Sequence, residues 1–198
     1  QAALEPLSTV EEIGRVYVSC IRERQPSGPY AVLGYSASGI TAFEVAQQLS
    51  KAGEVVELAI IDAPMDGRPS PDGFTGDEID DMCTAWASFM PDLDKAALVG
   101  LGPDERMKAL VEMLGRQIDD DWMKHLHRLS RIDLGVAHRF VRAFVTHMRA
   151  LSTYQVLDYE HPMRFFEPTP GDGAGRLSDQ WRRSCPKLTV EEMSGNHN

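Results

Sequence analysis

From Val10 to Ile21 apolar residues recur at helical spacing: Val10, Ile13, Tyr17, Cys20 and Ile21. This predicts a helix to about Arg24 that buries that stripe. Ser8-Thr9-Val10-Glu11-Glu12 is a capping-box start, with Ser8 or Thr9 as the cap, and Pro26-Ser27-Gly28-Pro29 is the stop. Tyr30 to Leu33 is then an unbroken apolar run, the pattern of a parallel strand covered on both faces. Ile40 to Lys51 returns to the helical period, with Ile40, Phe43, Ala46 and Leu49 turned inward and Gly53 placed for a left-handed cap. Val55 to Ile61 is a second buried strand. Strand, helix and strand this close together predict a right-handed crossover in a parallel sheet.

From Met65 the pattern changes. Met65 to Asp77, rich in Gly, Pro and Asp, reads as a linker. Helical patterns follow at Asp77–Met90, Pro103–Arg116, Asp121–Arg131 and Leu134–Tyr154, with no strand among them. The sheet resumes at Met163-Arg164-Phe165-Phe166. Pro168 to Gly175 is a loop, Leu177 to Cys185 a helix, and Leu188 to Met193 a last strand. The expected fold class is α/β: a mostly parallel sheet flanked by helices, formed by residues 1–65 and 156–198, with residues 66–155 inserted as an all-helical lid. Six of the nine methionines (Met82, Met90, Met107, Met113, Met123 and Met148) fall in that block, with Trp86 and Trp122. Such side chains suit an adaptable apolar pocket, or equally an ordinary helix–helix core.

Composition narrows the function classes. The 198 residues, 42% of them apolar, suffice for one globular domain with an inserted subdomain. A formal net charge of −10 argues against a nucleic-acid partner. No apolar run approaches the ~20 residues of a membrane span, and no secretory leader is visible. Cys20, Cys83 and Cys185 are far apart and odd in number, which suggests free thiols in a reducing cytoplasm. His125, His127, His138 and His147 lie in the helical block and His161 in the return from it; none forms a metal-ligand spacing, so no metal is expected.

Chemistry concentrates at Gly34-Tyr35-Ser36-Ala37-Ser38-Gly39, between a strand and a helix. This is the layout of a nucleophile elbow, whose serine is exposed at the carboxyl end of the sheet. A Gly/Ser turn capping a helix is the plainer alternative. Ser36 stands at the apex, and the N–H of Ala37 is placed to donate to an oxyanion. Ser38 stands where the elbow pattern has its last glycine, and Gly39 supplies the slack. Asp62 follows the next strand, and His197 follows the last in Ser194-Gly195-Asn196-His197. Ser36, Asp62 and His197 have the chain order nucleophile, acid, base of α/β-hydrolases. The imidazole takes the serine proton, and the carboxylate orients it and stabilises the imidazolium. Asp172, in the Gly-flanked loop after the third strand, is the rival acid.

Gly28 to Ser36, Ala42 to Leu49 and Leu58 to Pro64 resemble the thioesterase domains that end nonribosomal peptide synthetases and polyketide synthases. Leu101 to Arg106 and Met148 to Tyr154 resemble their lid, and Ser194 to His197 the loop of their catalytic histidine. The resemblance implies an α/β-hydrolase fold and a Ser36–His197–Asp62 triad. It implies that Ser36 accepts an acyl or peptidyl chain from the phosphopantetheine arm of a carrier protein, with no cofactor bound directly. Release by water, or by a hydroxyl or amine of the chain, gives an acid or a macrocycle. A stand-alone editing thioesterase and a hydrolase-like domain that only binds are the other readings. In the family a preceding strand and Gly-rich loop supply the second oxyanion donor, and a helix follows the histidine. The expectation is therefore an internal portion of a longer domain.

Overall fold

The computed structural model describes residues 7–65, 70–86, 94–117, 128, 133–169 and 176–194. The chain divides into two compact units, Leu7–Arg68 with Thr153–Asn198, and Gln1–Pro6 with Pro69–Ser152. The first contains α1 (Val10–Arg24), β1 (Tyr30–Tyr35), α2 (Ser38–Lys51), β2 (Val56–Ile61), β3 (Met163–Pro168), α6 (Leu177–Arg182) and β4 (Leu188–Met193). The second is helical among its described residues: α3 (Glu78–Trp86), α4 (Pro103–Gln117) and α5 (Leu134–Thr153), with 3-10 turns at Pro71–Gly73 and Lys95–Leu98.

The four strands are all parallel and lie in chain order, β1-β2-β3-β4. Right-handed crossovers that step the same way across a sheet put their helices on the same face. Ring contacts show this for α2 and α6: Phe43 lies 5.3 Å from Trp181, which itself lies 6.1 Å from Phe165 of β3. Phe43, Trp181, Phe165, Ile40, Leu49 and Ile60 form a fully buried layer between helices and sheet. The predicted burial of β1 on both faces therefore needs correction. Ala31, Leu33 and Tyr35 alternate onto the other face, where Leu33 is 64% exposed.

Helix α1 starts as predicted: Thr9 is the cap, its Oγ1 accepting from Glu12 N–H at 3.1 Å, while Glu12 accepts from Ser8 N–H at 3.1 Å. Its buried stripe is rotated from the predicted one. Val10 and Gly14 are buried, whereas Tyr17 and Cys20 are exposed. The cause is close packing on α2: a Cβ built on Gly14 would lie 2.8 Å from Gln48 Nε2 and 2.9 Å from Glu44 Cγ. Glu44 itself is buried, accepting from Tyr154 Oη at 2.5 Å and Gln48 Nε2 at 2.7 Å. Gly53 closes α2 with φ +85°, the left-handed cap its sequence position predicts.

In the helical unit, Ile79, Met82, Leu98, Met107, Leu110, Leu114, Val141 and Val145 make one core. Met82 and Met107 are fully buried in it, so helix–helix packing, not a pocket, accounts for them. Asp77 caps α3, accepting from the N–H groups of Ile79 and Asp80 at 3.0 Å each. Its acidic first turn is matched by cations: Arg106 pairs with Asp77 and Asp80, Arg142 with Glu78, and Arg149 with buried Asp81. The predicted segment Asp121–Arg131 lies outside the described residues except Arg128.

Candidate active site

Ser36 is the first residue after β1, and its φ is +52°. Few L-residues other than glycine adopt that conformation, so the turn around it must be held from outside. Its N–H donates to Ile61 O at 3.0 Å and its C=O accepts from Gly39 N–H at 2.9 Å. The turn thus hangs on β2 at one end and enters α2 at the other. Two glycines make room. A Cβ on Gly34 would lie 2.7 Å from both Ala42 Cβ and Gly39 Cα. One on Gly39 would lie 2.5 Å from Ala63 Cβ and 3.0 Å from Ile60 Cγ2. Gly39, not the residue at position 38, is therefore the site of closest helix–sheet approach.

Asp62 repeats the arrangement one strand over. It follows β2, is 6% exposed and has φ +45°. Its N–H donates to Phe166 O at 2.8 Å, which fixes it to β3. The next residue, Ala63, is fully buried and accepts from Trp181 Nε1 at 2.8 Å, so the chain leaving Asp62 is anchored too. Tyr35 and Ile61 are register partners, so Ser36 and Asp62 leave neighbouring strands side by side at the carboxyl end of the sheet. Loops at that end of a parallel sheet are where α/β proteins gather their chemistry. Among the described non-glycine residues, Ser36 and Asp62 are the two with positive φ. Both are residues that sequence reasoning selects.

Ala37 is the N-cap of α2, with φ −55° and ψ −30° and no side-chain cap. Its N–H stands at the positive end of the helix dipole, next to Ser36. His197, and the loop with Asp172, the rival to Asp62 as the acid, lie outside the described residues.

Two features here are not evident from sequence. Glu167 is buried near the end of β3, one register step beyond the Ile61–Phe166 pair and so beside Asp62. It accepts from Ser178 N–H at 3.0 Å and Ser178 Oγ at 2.9 Å, and pairs with Arg176 at 3.4 Å. This carboxylate holds the start of α6. Its alternating strand position gave no hint of that role. The second feature is the Ser38 hydroxyl, which accepts from Tyr35 N–H at 3.1 Å and donates to Tyr35 C=O at 2.6 Å. Among the described residues no cluster of His, Cys, Asp and Glu could hold a metal ion, and no helix is long and apolar enough to cross a membrane.

Comparison with known proteins gives a partial family match and a shared fold. Residues 1–73 match the family described as thioesterase domain. The chain is 54% identical over 56 residues to the non-reducing polyketide synthase Preu8 of Preussia isomera, covering 28% of this chain and 3% of that protein. It is 48% identical over 58 residues to N-(5-amino-5-carboxypentanoyl)-L-cysteinyl-D-valine synthase of Amycolatopsis lactamdurans, covering 29% and 2%. The chain thus spans only a small fraction of these relatives. In fold it resembles the NocB thioesterase domain, solved as a covalent complex with a fluorophosphonate nocardicin G analogue. The TM-score is 0.62 at 20% identity, covering 99% of this chain and 70% of that one. Further structures of this fold include type II thioesterases. Residues 1–73 thus match the thioesterase-domain family, and nearly the full length shares the fold of solved thioesterase domains, which is of the α/β-hydrolase type.

Proposed function

We propose that the chain is the thioesterase portion of a polyketide or nonribosomal-peptide synthase, and that Ser36 is its nucleophile. The observation that carries this is the pair of left-handed residues, Ser36 and Asp62, at the carboxyl ends of adjacent parallel strands. Strained backbone persists where the surroundings over-determine it, and such positions cluster at active sites.

The substrate is an acyl or peptidyl chain joined as a thioester to the phosphopantetheine arm of a carrier protein. Ser36 Oγ attacks the thioester carbonyl while His197 takes the hydroxyl proton, and Asp62 holds the imidazole and balances its charge. The N–H of Ala37 donates to the oxyanion of the tetrahedral intermediate. Its collapse breaks the carbon–sulfur bond; the arm leaves as a thiol carrying the proton from His197, and an ester on Ser36 remains. Water, or a hydroxyl or amine of the chain, then attacks that ester with His197 again as base. Ser36 is restored, and an acid or a macrocycle is released. No metal or bound cofactor has a part in these steps. The helical unit between β2 and β3 serves as the lid that shields the ester from bulk water.

The likeness to type II thioesterases supports a second reading, a stand-alone enzyme that clears misacylated carriers. A carrier-protein domain preceding this stretch in the full-length gene product marks the chain-releasing type. The chemistry is tested by incubating the full-length protein with a fluorophosphonate and mapping the adduct by mass spectrometry. The expected adduct is on Ser36 and is lost in Ser36→Ala. Labelling that persists in that variant refutes the assignment, and a wild type that takes no label points to a domain that only binds.

A further inference from the structure

The elbow of this chain carries a side-chain latch. We infer that Ser38, through its hydroxyl, is a positioning residue that holds Ser36 in its attacking geometry. The inference rests on Ser36 being the nucleophile.

The argument starts from the strand. Tyr30 N–H donates to Val55 O and Ser36 N–H donates to Ile61 O, so the even-numbered residues of β1 turn their backbone groups toward β2. Along a strand that direction alternates residue by residue. The N–H and C=O of Tyr35 therefore point to the opposite side, away from β2. Ser38 Oγ meets both of them, accepting from the N–H at 3.1 Å and donating to the C=O at 2.6 Å.

The N-cap of α2 is Ala37, which has no side-chain acceptor; Ser38 is the first residue of the helix, and its hydroxyl turns back to the strand. The ring closed from Tyr35 to Ser38 contains Ser36 and Ala37. Ser36 is thereby bracketed: Tyr35 is held by Ser38, Ser36 N–H by Ile61, and Ser36 C=O by Gly39. Its φ of +52° is the conformation that needs such bracketing. A glycine at position 38 would leave the last two brackets and remove the first. The exposure of Ser38 means that its methylene fills no core space, so its role lies in those two hydrogen bonds.

The test compares fluorophosphonate inactivation of full-length wild type, S36A, S38A, S38G and S38T, separating the inactivation rate constant from the inhibitor's binding constant, and recording melting temperatures alongside. Loss of the latch is expected to slow inactivation about fivefold in S38A and S38G, the effect of roughly one net hydrogen bond. The binding constant should stay at its wild-type value, the melting temperature should fall by no more than about 2–4 °C, and S38T, which keeps the hydroxyl, should restore the rate. Wild type labelled at Ser36 with S38A and S38G equally fast overturns the latch alone. So does a slowing that S38T does not repair, or one that appears in the binding constant rather than in the inactivation rate constant. A wild type unlabelled at Ser36 overturns the nucleophile assignment, and the positioning role falls with it.

Discussion

Replacing Gly39 by alanine sets two effects of opposite sign against each other. Alanine is the better helix former, and in an open helix position the change stabilises by about 1 kcal/mol. At Gly39, in the first turn of α2, the added methyl would lie 2.5 Å from Ala63 Cβ and 3.0 Å from Ile60 Cγ2. Neither neighbour can retreat easily. Ala63 and Ile60 are fully buried, and Trp181 Nε1 holds the Ala63 carbonyl at 2.8 Å. Overpacking of this kind costs about 1–3 kcal/mol, more than the helix gain in most of that range. The expected net loss is about 1 kcal/mol, or a melting temperature lower by about 2–4 °C for a chain of this length. Because Ala63 follows Asp62 directly, the same displacement should slow fluorophosphonate labelling of Ser36. Ala63→Gly removes the closer obstruction, so the double variant should be less destabilised than the sum of the singles by about 1 kcal/mol. The measurement is thermal unfolding of the four proteins, with labelling rates on each. A Gly39→Ala protein as stable as wild type, or singles that add to within about 0.3 kcal/mol, would refute the packing argument.

Three further outcomes are expected. Asp62→Asn should lower thioester turnover about 10⁴-fold with the fold intact, as loss of the orienting carboxylate does in triads, while Asp172→Asn changes little; the reverse pattern assigns the acid to the later loop. Asp77 has its pKa lowered, chiefly by the N–H of Asp80 and then by Arg106. Its contribution to the helical unit is full above about pH 4 and is lost as pH falls further, so acid titration of unfolding should be shallower in Asp77→Asn, which also keeps the cap. Burial lowers the pKa of His147, so the folded state holds it neutral where the unfolded chain would protonate it. Stability should fall as pH drops below about 6.5, a dependence that His147→Gln removes; an unchanged slope in urea unfolding would exclude His147 as the source.

Much of the architecture is legible in the linear sequence because it depends on local pattern. Apolar runs of strand length, the helical period of α2 and α4, the capping box at Thr9 and the left-handed Gly53 are properties of a few adjacent residues. So is the elbow, since Ser36 needs only a strand before it and a helix after it. Crossover handedness then places Asp62 beside it without reference to any distant contact. What sequence left open depends on which elements become neighbours. The stripe of α1 turned from Tyr17 and Cys20 to Gly14 because α2 approaches closely there. Met82 and Met107 suited a pocket or a core equally, and became core because three helices surround them. The partners of Glu167 and Ser38 were unpredictable for the same reason: a polar side chain bonds whatever the fold brings within about 3 Å. For Ser38 that partner is the backbone of Tyr35, three residues back, and the two meet because β2 and α2 hold the turn at Ser36 between them.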